Sequence, residues 1–208
     1  MRNAAVELLG TFFLVLVIGL AVVPPGAGAM APLAIGAILM ALVYAGGPIS
    51  GAHYNPAVTL AVWLRGRCDT RDVLPYVAAQ VLGAALAAGL VGLCKPGSAA
   101  SPMAPDVVPA LLVELLFTFA LAFVVLQVAT STRSAGNPYF GLAIGFTVLA
   151  AAYAGGPISG GAFNPAVALG LAWMGLSPWG SLWIFLAANL AGGALAALAF
   201  RLINAERP

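Results

Sequence analysis

The sequence predicts an all-α membrane protein, with six transmembrane helices and two re-entrant half-helices in an inverted repeat. Three observations lead there. Charged residues make up only 7% of the chain and hydrophobic residues 62%, too little polar surface for a soluble domain. Apolar stretches of about 20 residues, the length that crosses roughly 30 Å of hydrocarbon, recur along it. The segment Tyr44–Leu60 also returns as Tyr153–Leu169 with thirteen of seventeen positions identical, beyond chance in 208 residues.

Taken in order, the expected spans are Ala4–Val23, Gly28–Ala45, Val73–Leu93, Val107–Thr130, Asn137–Ala154 and Trp179–Phe200. Two further apolar pieces, Asn55–Leu64 and Asn164–Met174, are too short to cross. The first span follows Met1–Asn3 with no cleavage-site pattern and reads as a retained helix, not a signal peptide. No linker, low-complexity tract or second domain is visible. Residues 1–208 are therefore expected to form one domain, with repeats at about 1–98 and 106–208.

Basic residues set the orientation. Arg2, Arg65, Arg67, Arg71, Arg133, Arg201 and Arg207 fall on one side of a six-span arrangement, and Lys95 alone falls on the other. Positive charge stays cytoplasmic, so both termini are expected inside. Cys68 then belongs to a cytoplasmic loop and Cys94 lies near the opposite face, too far apart to pair within one chain. The net charge of +2 is this topology signal and does not point to nucleic acid.

Each half holds three spans, and an odd number of crossings inserts the second half upside down. Repeats of this kind bring broken helices to the midplane with their dipole ends on a shared site. About ten residues at about 1.5 Å each give roughly 15 Å, half the hydrocarbon thickness. Asn55 and Asn164 suit the N-cap, where the side-chain oxygen accepts a backbone N–H. Pro56 and Pro165 suit the first helical position, which needs no N–H. With the oxygen occupied, each Asn is expected to offer its amide N–H groups to a passing solute. The Gly-Gly-Pro-Ile-Ser-Gly runs ahead of both are expected to be non-helical, which membrane depth tolerates only in a buried or water-lined place. One Asn-Pro alone would read as a capped helix start. Two at matching places read as a pore.

These features resemble the major intrinsic protein family, the aquaporins and aquaglyceroporins, in its bacterial type. The resemblance covers nearly the whole chain. It rests on Asn55-Pro56-Ala57, Asn164-Pro165-Ala166, the two Ile-Ser-Gly approaches, and Glu7 and Glu114. It implies a homotetramer in the lipid bilayer of a bacterial inner (plasma) membrane, with one channel per subunit and no cofactor. Each channel would pass small neutral solutes passively in single file.

Glu7 and Glu114 are the only acids within the spans, in the matching strings Glu-Leu-Leu-Gly-Thr-Phe and Glu-Leu-Leu-Phe-Thr-Phe. An intramembrane carboxylate is expensive and usually functional, so a proton relay is one reading. The resemblance favours the other, in which they accept N–H groups from the re-entrant loops. His53 is expected to pack behind the first loop, since a lone histidine has no partners for a metal site.

Two half-helix N-termini carry about +0.5 charge each. Together they repel a monovalent cation some 4 Å away by on the order of 4 kcal/mol at an effective dielectric of about 20, roughly a thousandfold in rate. Neutral solutes escape that penalty. The chain departs from its family at the outer filter, where most relatives follow the second Asn-Pro-Ala with arginine. Here that residue is Val167, followed by Ala168. Carried over by motif spacing, the filter is Ile35, Ala152, Gly161 and Val167. Small or uncharged residues at three of these positions imply a wide, apolar constriction, unless Tyr54 or Phe163 swings in to narrow it. Relatives with valine here are associated with arsenic handling, so the candidate solutes are glycerol-like polyols, urea-sized amides and neutral metalloid hydroxides such as arsenite.

Competing readings are a water-selective pore, an ion-coupled inverted-repeat transporter whose only titratable candidates are Glu7 and Glu114, and a closed junctional protein. An enzyme is the weakest, because no nucleophile–base pair, metal cluster or phosphate loop lies within the spans.

Overall fold

The computed structural model describes residues 1–98 and 102–204; Arg207, assigned above to the cytoplasmic side, lies outside them. The described residues form α1 (Arg2–Val22), α2 (Ala31–Ser50), α3 (Pro56–Leu64), α4 (Thr70–Cys94), α5 (Val107–Val125), α6 (Phe140–Ser159), α7 (Pro165–Trp173) and α8 (Leu182–Asn204). Six of these, α1, α2, α4, α5, α6 and α8, are long and apolar enough to cross a bilayer. The other two, α3 and α7, have nine residues each and reach only about 13 Å. A single π turn, Leu126–Thr130, closes α5.

One expectation about the helices is overturned. The Gly-Gly-Pro-Ile-Ser runs are helical: α2 and α6 continue through Pro48 and Pro157 to Ser50 and Ser159. Proline removes one intrahelical bond, but an open coil at this depth would leave several backbone groups without water, a larger loss. The helices stop one residue later. Gly51 (φ 88°) and Gly160 (φ 92°) take the left-handed conformation, and their N–H groups bond the carbonyls of Gly47 and Gly156. Left-handed glycine is the ordinary device for ending a helix. Of the two re-entrant stretches, Gly51–Tyr54 and Gly160–Phe163 remain as irregular backbone.

The two halves pack alike. α1 lies on α4, and α5 lies on α8. The approach is close because Gly83 and Gly192 carry no side chain. A Cβ at Gly83 would stand 2.5 Å from the Leu8 carbonyl oxygen, and one at Gly192 would stand 2.6 Å from that of Leu115. Each half-helix leans on a long helix of the opposite half, α3 on α8 and α7 on α4. Polarity is inverted relative to a soluble protein. Leu82, Leu86, Leu112, Leu116 and Leu198 are exposed on the outer face, while Glu7, Gln80, Glu114 and Asn189 are fully buried. Arg65, read from sequence as one more cytoplasmic charge, is also buried, with its guanidinium carbon 4.7 Å from the centre of the Phe200 ring.

Candidate pore and its two anchored loops

The helix starts form as their residue types require. Asn55 caps α3, its side-chain oxygen accepting from Ala57 N–H at 2.8 Å. Asn164 caps α7, accepting from Ala166 N–H at 2.9 Å and from Val167 N–H at 3.4 Å. Pro56 and Pro165 occupy the first helical position. The amide ends differ from expectation. Asn55 Nδ2 donates to the Phe163 carbonyl at 2.9 Å, and Asn164 Nδ2 donates to the Tyr54 carbonyl at 2.8 Å. One N–H of each Asn is thus spent on the opposite loop, leaving one, not two, for anything in the cavity.

That reciprocal clasp explains a strained backbone. Tyr54 (φ 50°) and Phe163 (φ 48°) are left-handed without being glycine, a conformation that costs on the order of 1–3 kcal/mol. Each carbonyl so placed accepts the amide of the facing Asn. Both residues are buried and both border the cavity between the loops. The Tyr54 hydroxyl donates to the Leu42 carbonyl at 3.1 Å, and the Phe163 ring meets Phe117 edge-on at 5.5 Å between centroids.

Behind the clasp stand the two carboxylates. Glu7 accepts from the Ser50 hydroxyl at 2.7 Å, His53 N–H at 2.9 Å, Tyr54 N–H at 2.6 Å and Gln80 Nε2 at 2.8 Å. Glu114 accepts from the Ser159 hydroxyl at 2.7 Å, Ala162 N–H at 2.9 Å and Phe163 N–H at 2.7 Å. Four loop N–H groups that neither helix nor water could satisfy are met in this way. His53 stands behind the first loop, its Nδ1 3.1 Å from the Thr59 hydroxyl and its ring edge-on to Tyr76. It also borders the cavity.

Sequence reasoning missed Gln80, Thr59 and Tyr76, which complete the first cluster, and the Thr118–Asn189 pair beside the second, bonded at 3.0 Å. A signal existed. Gln80 and Asn189 are amides set in apolar spans at matching places of the repeat.

Between the loops runs a cavity of about 730 Å³. Ile35, Ala152, Gly161 and Val167 all line it, together with Asn55 and Asn164. Among its described lining residues none is Asp, Glu, Lys or Arg. Beyond it lies a second cavity of about 950 Å³ that includes Arg67, Asp69 and Asp72. Val43, His53, Val125 and Ile144 border both cavities, so the two chambers meet beside the first loop. The two Asn amides sit in a wall that is mostly apolar, with His53, Tyr54, Tyr153, Ser159 and Ser177 as its other polar side chains among the described residues.

Comparison with known proteins agrees. The family described as MIP, Major intrinsic protein, matches residues 1–200. "Aquaporin NIP1-1" of Oryza sativa subsp. japonica is 42% identical over 174 residues, 81% of this chain and 60% of that protein. "Aquaporin NIP1-3" of the same plant is 40% identical, covering 98% of this chain and 74% of its own length. The chain thus spans about 60% of the length of the first of these relatives. Among solved structures, that titled "X-ray structure of the aquaglyceroporin from Plasmodium falciparum" superposes with a TM-score of 0.80. It is 21% identical and covers 97% of this chain and 96% of that one. The chain belongs to the major intrinsic protein family.

Proposed function

We propose that this member of the major intrinsic protein family is a passive channel for water and small neutral solutes. Its outer filter, Ile35, Ala152, Gly161 and Val167, is wide and uncharged and suits glycerol-like polyols, urea-sized amides and neutral metalloid hydroxides such as arsenite. The observation that carries this reading is the cavity: it holds both Asn55 and Asn164 and no charged side chain among its described lining residues. A solute there exchanges water hydrogen bonds for those of the Asn amides and backbone carbonyls. A cation meets the positive ends of α3 and α7 with no carboxylate beside it.

Glu7 and Glu114 support the loops in this reading. All four of their oxygens accept hydrogen bonds, which argues against a coupled transporter using them as proton carriers. The protein works as a homotetramer, one channel per subunit, in a bacterial inner membrane with both termini cytoplasmic. The seven-to-one distribution of basic residues supports that orientation.

The test is stopped-flow light scattering on liposomes holding the purified protein, under sucrose and then glycerol gradients, with Val167→Arg alongside. Fast glycerol re-swelling that Val167→Arg returns to the protein-free rate is the expected result. Fast water flux with no glycerol flux would replace this reading with a water-selective pore. Glycerol uptake that collapses with a protonophore would make it a coupled transporter.

A further inference from the structure

Helix α1 ends at Val22 with no basic residue in its last turn. Its Gly19 and Ala21 carbonyls are met by Val23 and Ala27 N–H, but Pro24 has no N–H to offer the Leu20 carbonyl. The charge that meets it comes from another helix. Lys95, the C-cap residue of α4, directs Nζ to the carbonyl oxygens of Leu20 at 2.6 Å, Pro25 at 2.8 Å and Val23. Three carbonyls use all three donors of an ammonium, and a cation at a helix C-terminus also answers the dipole. The α1–α4 packing brings the two ends together.

What the ammonium holds is part of the candidate channel. Past Val23 the chain doubles back, with Ala27 N–H bonding the Ala21 carbonyl at 2.8 Å. Pro24, Gly26, Gly28 and Ala29 then line the cavity that contains Val167. The corresponding end in the second half is built otherwise. At the π turn after α5, the carbonyl of Leu126 is met by Thr130 Oγ1, that of Gln127 by Ser134 Oγ and that of Val128 by Asn137 Nδ2, each at 2.7 Å. These are neutral side chains from the same connection. At the end of α8, where Lys95 stands on α4, Asn204 bonds back to Phe200 within its own helix at 3.0 Å.

We propose that Lys95 is a positioning residue that sets the size limit of the outer chamber by fixing the Val23–Ala29 wall to α4. The proposal rests on the channel reading above. Loss of the ammonium leaves three carbonyls facing one another without a donor, which frees the wall and relaxes discrimination between solutes of different length.

Lys95→Met and Lys95→Arg, purified and reconstituted, are compared with the parent for the ratio of erythritol to glycerol permeability. Amide hydrogen exchange is followed in parallel at Ala27 and, as an internal reference, at Ala166. Lys95→Met is expected to raise the ratio several-fold and to speed exchange at Ala27 with Ala166 unchanged, and Lys95→Arg to restore most of both. A folded Lys95→Met with the parental ratio overturns the proposal. If Lys95→Met does not fold, Lys95→Gln is read the same way. If the parent passes neither polyol, the channel reading fails on its own and takes the size limit with it, while exchange at Ala27 still shows whether Lys95 clamps the wall.

Discussion

Glu7 and Glu114 hold their loops through matching bonds from a serine and two loop N–H groups, but the first stands in an extended polar network and the second has only the Thr118–Asn189 pair among apolar side chains. Around Glu7 are His53, Thr59, Gln80 and Tyr76, linked to one another and to Ser50. Around Glu114 the matching positions are Ala162, Ala168, Asn189 and Phe185, and the loop aromatic packs on Phe117. What the halves share is therefore what the re-entrant backbone demands: a carboxylate, a serine, an Asn cap and a left-handed residue before it. What they do not share is free to vary, because either hydrogen bonds or ring packing can hold a loop whose N–H groups are already met.

The largest effect comes from removing the shared element. Glu114→Leu leaves Ala162 N–H and Phe163 N–H buried without an acceptor, at about 1–3 kcal/mol each, a large part of a typical stability of 5–15 kcal/mol. Glu7→Leu orphans two loop N–H groups as well, but Thr59 still binds Gln80 and His53. We expect no monodisperse protein for Glu114→Leu by size-exclusion chromatography in detergent, and a reduced but measurable peak for Glu7→Leu. The reverse order would mean that the polar network depends on Glu7 instead of backing it up.

Next come the two caps. Each Asn combines an N-cap worth about 1 kcal/mol with a bond across the repeat worth about 0.5–1.5 kcal/mol. Asn164 caps two N–H groups and Asn55 only one. Asn164→Ala is therefore expected to lower the unfolding temperature more than Asn55→Ala. The double variant is expected to lose less than the sum, because both bonds belong to one clasp. Strict additivity in thermal unfolding would mean that the two loops are held independently.

Much of this was legible in the sequence. The repeat, the six spans, the caps and the carboxylate pair follow from residue types whose physics is local or periodic. The helical ends of α2 and α6 were not legible, because glycine and proline mark a break in water, while a bilayer penalises the broken backbone more than the proline. Gln80 was missed, and Arg65 and Lys95 were read only as charges that set the orientation, for another reason. Their partners Glu7, Phe200 and Leu20 are remote in sequence, so only the packing of helices makes them neighbours. The amide clasp is of that kind too: capping logic gives each Asn oxygen a partner, and only the assembled halves give one to the nitrogen.

A smaller effect would make the two halves more alike. Tyr54→Phe gives the first loop the aromatic of the second and removes the bond to the Leu42 carbonyl, without touching the clasp. About 1 kcal/mol, or about 2–4 °C for a chain of this size, is the expected loss, with glycerol flux unchanged. A loss of flux would mean that the hydroxyl, and not only the left-handed backbone, places the Tyr54 carbonyl.

The last contrast involves reactivity and no stability. Cys68 follows α3 in the first half, half-buried, and Cys94 is exposed at the far end of α4. Burial, then Asp72, Asp69 and Glu7, push the Cys68 thiol up to about 11. A raised thiol value keeps the proton on: at pH 8 only ~0.1% is thiolate, the form that alkylates. Iodoacetamide on detergent-solubilised protein is therefore expected to modify Cys94 well before Cys68, with the Cys68 rate climbing about tenfold per pH unit until pH nears 11. In sealed, right-side-out vesicles an impermeant maleimide is expected to reach Cys94 alone. Labelling of Cys68 from outside would reverse the assigned orientation, and with it the assignment of the Lys95-braced chamber to the outer mouth.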